Sequence, residues 1–334
     1  MKISASIYSA GDRDLRSVIQ DLEEHHVDLL HVDCNDDPAV FEDIRKIREW
    51  TKIPIDLHLI TDRPEFYFPL LRDCPVDYLT FQYESLKEPL KIPSDIQGRK
   101  GLAIITPTDV EVFDAYANFD FILIMATIPG QSGGVFDSEN FNKIRAFKKK
   151  YPAKSIHVDG GVNGEVSFIL RNMGVSASVS GSYMFKAPSI GHALMNLTVR
   201  NIDSHYHVSD FMVPLEECPR VVSDNMTFLK VLESIERGQL GFTLVIDQQG
   251  KLEGIISNAD VRKALLRIDA DADRLAELEF VNRNALSVNE NSTVYEMLEL
   301  IKRASFPVMY LPVVDEVGKA SGIVTFVNLI KGEI

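Results

Sequence analysis

Residues 27–35 read VDLLHVDCN, and two later stretches share their grammar: IDLHLI at 55–60 and SIHVDGGV at 155–162. Each is a short apolar run with polar residues near its end, the pattern of a β-strand buried on both faces. His31 and Asp33 stand at i and i+2, so on a strand they point to the same side. Two imidazoles (His31, His58) and two carboxylates (Asp33, Asp159) converging at strand ends make a divalent-metal site. They also leave two carboxylates beside the metal for proton transfer. Everything then depends on whether one fold brings the three strands together.

Working outward, residues 1 to about 200 alternate strand-like and helix-like segments. KISASIY, VDLLHVD, PIDLHLI, VDYLTFQ, GLAIIT, FDFILIMA, KSIHVD and VSASVSG are the strand candidates. Between them lie amphipathic segments such as DLRSVIQDLEEH, AVFEDIRKIREW, SENFNKIRAFKKKY and GEVSFILRNMG. Eight βα units in this length predict an α/β fold of the (β/α)8 TIM-barrel type over residues 1–200. A doubly wound open sheet is the alternative. From residue 208 onward the grammar changes to an internal repeat. FTLVIDQQGKLEGIIS, from Phe242, matches YLPVVDEVGKASGIVT, from Tyr310, without a gap. A polar-capped helix precedes each copy, DNMTFLKVLESIERG and ENSTVYEMLELIKRA. Two α+β copies packed on each other are expected, over about 208–268 and 276–334.

The chain has 334 residues and a formal net charge of −14. So acidic a surface argues against general binding to nucleic acid or anionic membrane. The three cysteines, Cys34, Cys74 and Cys218, form no CxxC motif or even framework, which fits a reducing interior. No apolar run approaches the roughly 18 residues of a membrane span. A soluble, cytoplasmic protein is expected.

SASIYSA, HVDCND, DLHLI, MATIPGQSGGVF, HVDGGV and VSGSYMF, taken in this order, make the first half resemble the ribulose-phosphate 3-epimerase family. The repeat, with GIISNAD and GIVTFVN, makes the second half resemble a tandem pair of CBS domains. The first resemblance implies a (β/α)8 barrel with one divalent metal (zinc, iron, manganese or cobalt) held by His31, Asp33, His58 and Asp159. It implies that Asp33 and Asp159 are also the acid/base pair. Ser6 would sit near the substrate, as would His58, and Met125 would line the pocket. The implied reaction is epimerisation at carbon 3 of a ketose phosphate, D-ribulose 5-phosphate to D-xylulose 5-phosphate, through an enediolate whose charge the metal stabilises. For the phosphate, Gly160 and Gly161 after strand seven and Gly181 and Ser182 after strand eight supply close-approaching backbone donors. Gly130, Gly133 and Gly134 lie in a PGQSGG loop that would close over substrate.

The family pattern is not kept everywhere. Gln82 stands where strand four commonly ends in His, and Ile105-Thr106 replaces an Asn-Pro. A related ketose phosphate is therefore the alternative substrate, and a non-catalytic sensor of sugar phosphate and nucleotide is a further alternative. The CBS resemblance implies an adenine nucleotide (AMP, ADP or ATP). Ser257 and Asp260 keep the family's ribose-binding signature in the first copy, whereas the second has Thr325 but Asn328 in place of the Asp. A dimerisation module without ligand is the competing reading. Both resemblances imply a homo-oligomer.

Overall fold

The computed structural model describes residues 1–127, 133–198, 205–266 and 280–327. They divide into two compact units, one ending at residue 198 and the other beginning at 205.

In the first unit, eight parallel strands close into a barrel in sequential order. They are β1 (Lys2–Ser6), β2 (Leu29–Asn35), β3 (Ile55–Ile60), β4 (Tyr78–Gln82), β5 (Arg99–Ile105), β6 (Phe121–Met125), β7 (Ser155–Asp159) and β8 (Ala177–Ser180). β1 pairs with both β2 and β8, which closes the ring. Helices α1 (Leu15–Glu24), α2 (Val40–Trp50), α3 (Phe68–Asp73), α4 (Glu139–Lys150), α5 (Gly164–Met173), α6 (Ser182–Lys186) and α7 (Ile190–Thr198) belong to the same unit. α1 starts where Asp14 accepts the Ser17 N–H, and α5 starts where Asn163 accepts the Val166 N–H. α1 buries an apolar stripe, Val18, Ile19 and Leu22, whereas α5 is buried on nearly every side.

Two of the eight expected βα units lack an α-helix. β4 leads into a single 3-10 turn, Tyr83–Ser85, and β5 is followed by a 3-10 helix, Val110–Tyr116. Pro89 and Pro93 break the stretch after β4, because proline removes a backbone donor and clashes with the preceding turn. At the opposite end of the barrel a second regularity appears. The aspartate just before β2, β4 and β6 accepts a backbone N–H from the preceding strand: Asp28 from Ile3 at 2.8 Å, Asp77 from Ile55 at 2.8 Å and Asp120 from Lys100 at 2.7 Å.

The second unit is the duplicated half. A short helix α8 (Val208–Phe211) and strand β9 (Val213–Pro214) lead in. The first repeat contains β10 (Arg220–Val222), α9 (Phe228–Gly238), β11 (Phe242–Ile246), β12 (Leu252–Ser257) and α10 (Asn258–Leu265). The second contains β13 (Val288–Asn289), α11 (Val294–Lys302), β14 (Tyr310–Val314) and β15 (Ala320–Thr325). The two hairpin turns are chemically identical. Asp247 Oδ1 accepts from the N–H groups of Gln249 and Lys251, and Asp315 Oδ1 does the same for Val317 and Lys319. Their tips also pair with each other, Leu252 N–H to Gly318 O and Ala320 N–H to Gly250 O, both at 3.0 Å. β10 and β13, only three and two residues long, are too short to leave a periodicity in the sequence.

The repeats exchange their lead-in segments. β9, which precedes the first repeat, pairs antiparallel with β15 of the second. Asn282, between the repeats, exchanges both backbone bonds with Ile255 of β12 at 2.9 and 3.2 Å. Glycine is needed at both crossings. A Cβ on Gly254 would lie 2.6 Å from the Asn282 carbonyl oxygen, and one on Gly322 would lie 2.2 Å from that of Val213.

Candidate active site

The strand registers bring the four chemistry-bearing residues together. His31 lies beside Asp56 across β2–β3, and Asp33 beside His58. Ser6 neighbours His31 from β1, and Asp159 neighbours Met125 across β6–β7. His31 Nε2 stands 3.4 Å from Asp33 Oδ1 and 3.8 Å from Asp159 Oδ2. His58 Nδ1 stands 3.3 Å from the same Asp33 oxygen. His31, His58 and Asp159 each offer a ligand atom within 4.8 Å of the others.

Each imidazole is oriented from behind. His31 Nδ1 meets Asp56 Oδ2 at 2.9 Å, and Asp56 also accepts the Ser4 hydroxyl at 3.0 Å. His58 Nε2 meets Gln82 Oε1 at 2.9 Å. These bonds turn His31 Nε2 and His58 Nδ1 toward the shared space. Both nitrogens and Asp33 Oδ1 are buried with no hydrogen-bond partner among the described residues. Buried polar atoms are nearly always paired, so three orphans facing one point describe a place for a cation. A donor set of imidazoles and carboxylates, its rings held by outer partners, fits a divalent metal.

The charges agree. Burial opposes ionisation of Asp33, but His31 and His58 outweigh it and hold its carboxyl well below the usual range. Burial, reinforced by the neighbouring Asp33 charge, pushes Asp159 up. Burial would depress His31, yet Asp33 and Asp56 overcome it and raise it well above its ordinary value. A buried imidazole kept protonated between carboxylates marks a site that favours positive charge.

Of the other candidate residues, Ser6 ends β1 with its hydroxyl 3.1 Å from that of Ser9. Met125 is buried against Ala103, Leu123 and Ile105 inside the barrel. Gly160 and Gly161 follow β7 at φ 108° and 67°, conformations that favour glycine. A Cβ on Gly160 would lie 2.3 Å from the Thr127 hydroxyl, and one on Gly181 2.3 Å from the Ser9 hydroxyl. One on Gly133 would lie 3.8 Å from the Ser182 hydroxyl, while one on Gly134 would strike Thr127. The segments after β6 and β7 therefore approach each other closely around Thr127, while the turn after β8 packs against Ser9 and Ser6. Gly130 and Asn328 lie outside the described residues.

Asp56 escaped the sequence reading, although it alternates with His58 as His31 does with Asp33. Gln82 was visible only as a departure from the family pattern.

In the second unit, Ser257 caps α10. Its hydroxyl donates to Asp260 Oδ2 at 2.6 Å, and its N–H donates to the same oxygen at 2.9 Å. Thr325 ends β15 opposite Tyr310, and Ser257 sits opposite Phe242. The rings of Phe242 and Tyr310 have centroids 4.7 Å apart. The candidate nucleotide residues of the two repeats thus flank one aromatic pair.

Residues 2–185 match the ribulose-phosphate 3 epimerase family, and residues 208–267 and 276–333 match the CBS domain. The ribulose-phosphate 3-epimerase of Methanocaldococcus jannaschii is 32% identical over 216 residues, 59% of this chain and 89% of that protein. The Bacillus subtilis enzyme of the same name is 28% identical, covering 55% of this chain and 92% of its own length. Among solved structures, CBSX2 in complex with AMP is 24% identical over 38% of this chain and 96% of its own, with a TM-score of 0.32. A family match over more than half the polypeptide, supported by relatives matched along most of their length, places this chain in the ribulose-phosphate 3-epimerase family, with a tandem pair of CBS domains following the barrel.

Proposed function

We propose that the barrel epimerises carbon 3 of a ketose phosphate, with D-ribulose 5-phosphate and D-xylulose 5-phosphate as the substrate pair. The observation that carries the reading is the pair of carboxylates near the ends of β2 and β7, both within 4 Å of His31 Nε2. Epimerisation removes a proton from one face of a carbon beside a ketone and returns one to the other. Asp33 on β2 and Asp159 on β7 come from separate strands, so one is suited to take the proton and the other to return one. In the reverse direction the roles exchange. His31, Asp33, His58 and Asp159 would hold a divalent cation, whose positive charge would ease departure of the carbon 3 proton. His31 and His58 hold position without adding negative charge. The substrate phosphate is assigned to the backbone around Gly160, Gly161, Gly181 and Ser182, with Gly133 and Gly134 approaching from the β6 side.

The test is exchange of solvent deuterium into carbon 3 of ribulose 5-phosphate, followed by NMR with added Zn²⁺ or Mn²⁺. Exchange with appearance of xylulose 5-phosphate is expected. Asp33→Asn and Asp159→Asn should each lower kcat by about 10²-fold or more. Full turnover in either variant overturns the acid/base assignment, and absence of exchange in metal-loaded wild type moves the substrate to another ketose phosphate.

The CBS pair is assigned an adenine-nucleotide site centred on Ser257 and Asp260. Its support is the intact Gly254, Ser257 and Asp260 signature beside the Phe242–Tyr310 ring pair. Calorimetric titration with AMP, ADP and ATP checks it. Heat of binding that disappears in Asp260→Ala is expected, and no heat with any of the three would leave the pair without this ligand.

A further inference from the structure

Metal ligation by His58 requires a particular tautomer, and the structure shows what selects it. His58 and Gln82 are buried, and Gln82 Oε1 lies 2.9 Å from His58 Nε2. An amide side chain could face an imidazole with either end, and that choice decides which ring nitrogen keeps the proton. Here the choice is made one residue further on. Gln82 Nε2 donates to Glu84 Oε2. A carboxylate only accepts, so Gln82 must turn its NH₂ to Glu84 and its carbonyl to His58. His58 must then keep a proton on Nε2, which leaves Nδ1, 3.3 Å from the orphaned Asp33 Oδ1, as the nitrogen that can be bare for a metal.

Glu84 is itself held. Its Oε1 accepts the Ile105 N–H at 3.0 Å and the Thr108 hydroxyl. Lys143 Nζ donates to the carbonyls of Ile105 and Thr108, fixing the same loop. A chain of oriented bonds thus runs from the loop after β5, through an exposed carboxylate and a buried amide, to a candidate metal ligand.

We propose that Glu84 is a positioning residue that sets the His58 tautomer through Gln82, and so makes Nδ1 available to the metal. The inference rests on the metal site assigned above. It gives an unusual expectation for a two-residue exchange. In Glu84→Gln the new amide keeps its oxygen on the Ile105 N–H and the Thr108 hydroxyl, so its NH₂ faces Gln82 and turns that amide round, NH₂ toward His58. His58 can then accept from Gln82 and place its proton on Nδ1, where it blocks ligation. In the double variant Gln82→Glu/Glu84→Gln the carboxylate sits next to His58, accepts only, and forces the proton back to Nε2.

The experiment reads the tautomer directly, by long-range ¹H–¹⁵N correlation of the His58 ring in metal-free protein at a pH high enough for the ring to be neutral, and the affinity separately, by titration with Co²⁺ followed through its visible absorption. Wild type should show Nε2–H alone. Glu84→Gln should shift the proton to Nδ1 and bind Co²⁺ about 10–100-fold more weakly. The exchanged pair should restore both the Nε2–H tautomer and Co²⁺ affinity to within about threefold of wild type. An unchanged tautomer in Glu84→Gln, or an exchanged pair no better than the single variant, overturns the proposal. Failure of wild type to bind Co²⁺ overturns the metal site instead, so the two failures are distinguishable.

Discussion

Asp56 shows how much a single buried carboxylate can organise. It is buried, and its side chain orients His31 and ties down Ser4. Removing its charge should loosen the ring it holds. Asp56→Asn is expected to weaken Co²⁺ binding by about tenfold or more while leaving the circular dichroism spectrum of the barrel intact. Equal affinity would mean that His31 needs no such support. Legibility at this scale was uneven for a physical reason. His31, Asp33, His58 and Asp159 sit on β2, β3 and β7, and on a strand sequence spacing maps directly onto side-chain direction. Asp56 obeys the same alternation and was therefore within reach of the argument. The pairing of Gln82 with Glu84 depends on how the chain turns at Tyr83–Ser85, and no spacing rule reports a single 3-10 turn.

At the scale of elements, the eight strands and the helices that follow β1, β2, β6 and β7 could be read from periodicity, because continuous apolar runs and amphipathic stripes are different patterns. The missing helices after β4 and β5 could not, since a count of apolar runs does not register what fails to form between them. The aspartates before β2, β4 and β6 are a second element-scale device. Each supplies an acceptor for a strand N–H at the end of the barrel away from the candidate site. Asp28→Ala should cost about 1–2 kcal/mol of unfolding free energy, because the Ile3 amide would lose its acceptor; urea unfolding measures it, and an unchanged midpoint would show that water replaces the carboxylate without loss. The crossings at Gly254 and Gly322 bear on the second unit in the same way. Gly322→Ala puts a methyl against the Val213 carbonyl, a backbone atom that cannot swing aside. A loss of about 1–3 kcal/mol is expected, read as a lower denaturation midpoint for the CBS pair.

At the scale of the whole molecule, the division into a barrel and a duplicated half was visible as a change of grammar near residue 200, since a gapless repeat is the most robust signal a single sequence carries. The strand exchange between the repeats was invisible, because β9 contributes two residues and Asn282 only one bridge. Among the described residues no helix is long and apolar enough to cross a membrane. An adenine nucleotide that binds the folded pair should raise its unfolding free energy by about 2.7 kcal/mol at a hundred times its Kd, a shift checked by thermal melts with and without AMP. The exchange itself has a consequence for how the protein is made. Every strand of the barrel has been synthesised once Ser180 has emerged, so its sheet can close while translation continues. β9 emerges long before its partner β15, and β12 must wait for Asn282. On the ribosome the barrel sheet can thus close on the order of 10 s before the last strand of the second unit is available. Until then, β9 is a strand without a sheet, and the nascent CBS half is the part of the chain most in need of a chaperone.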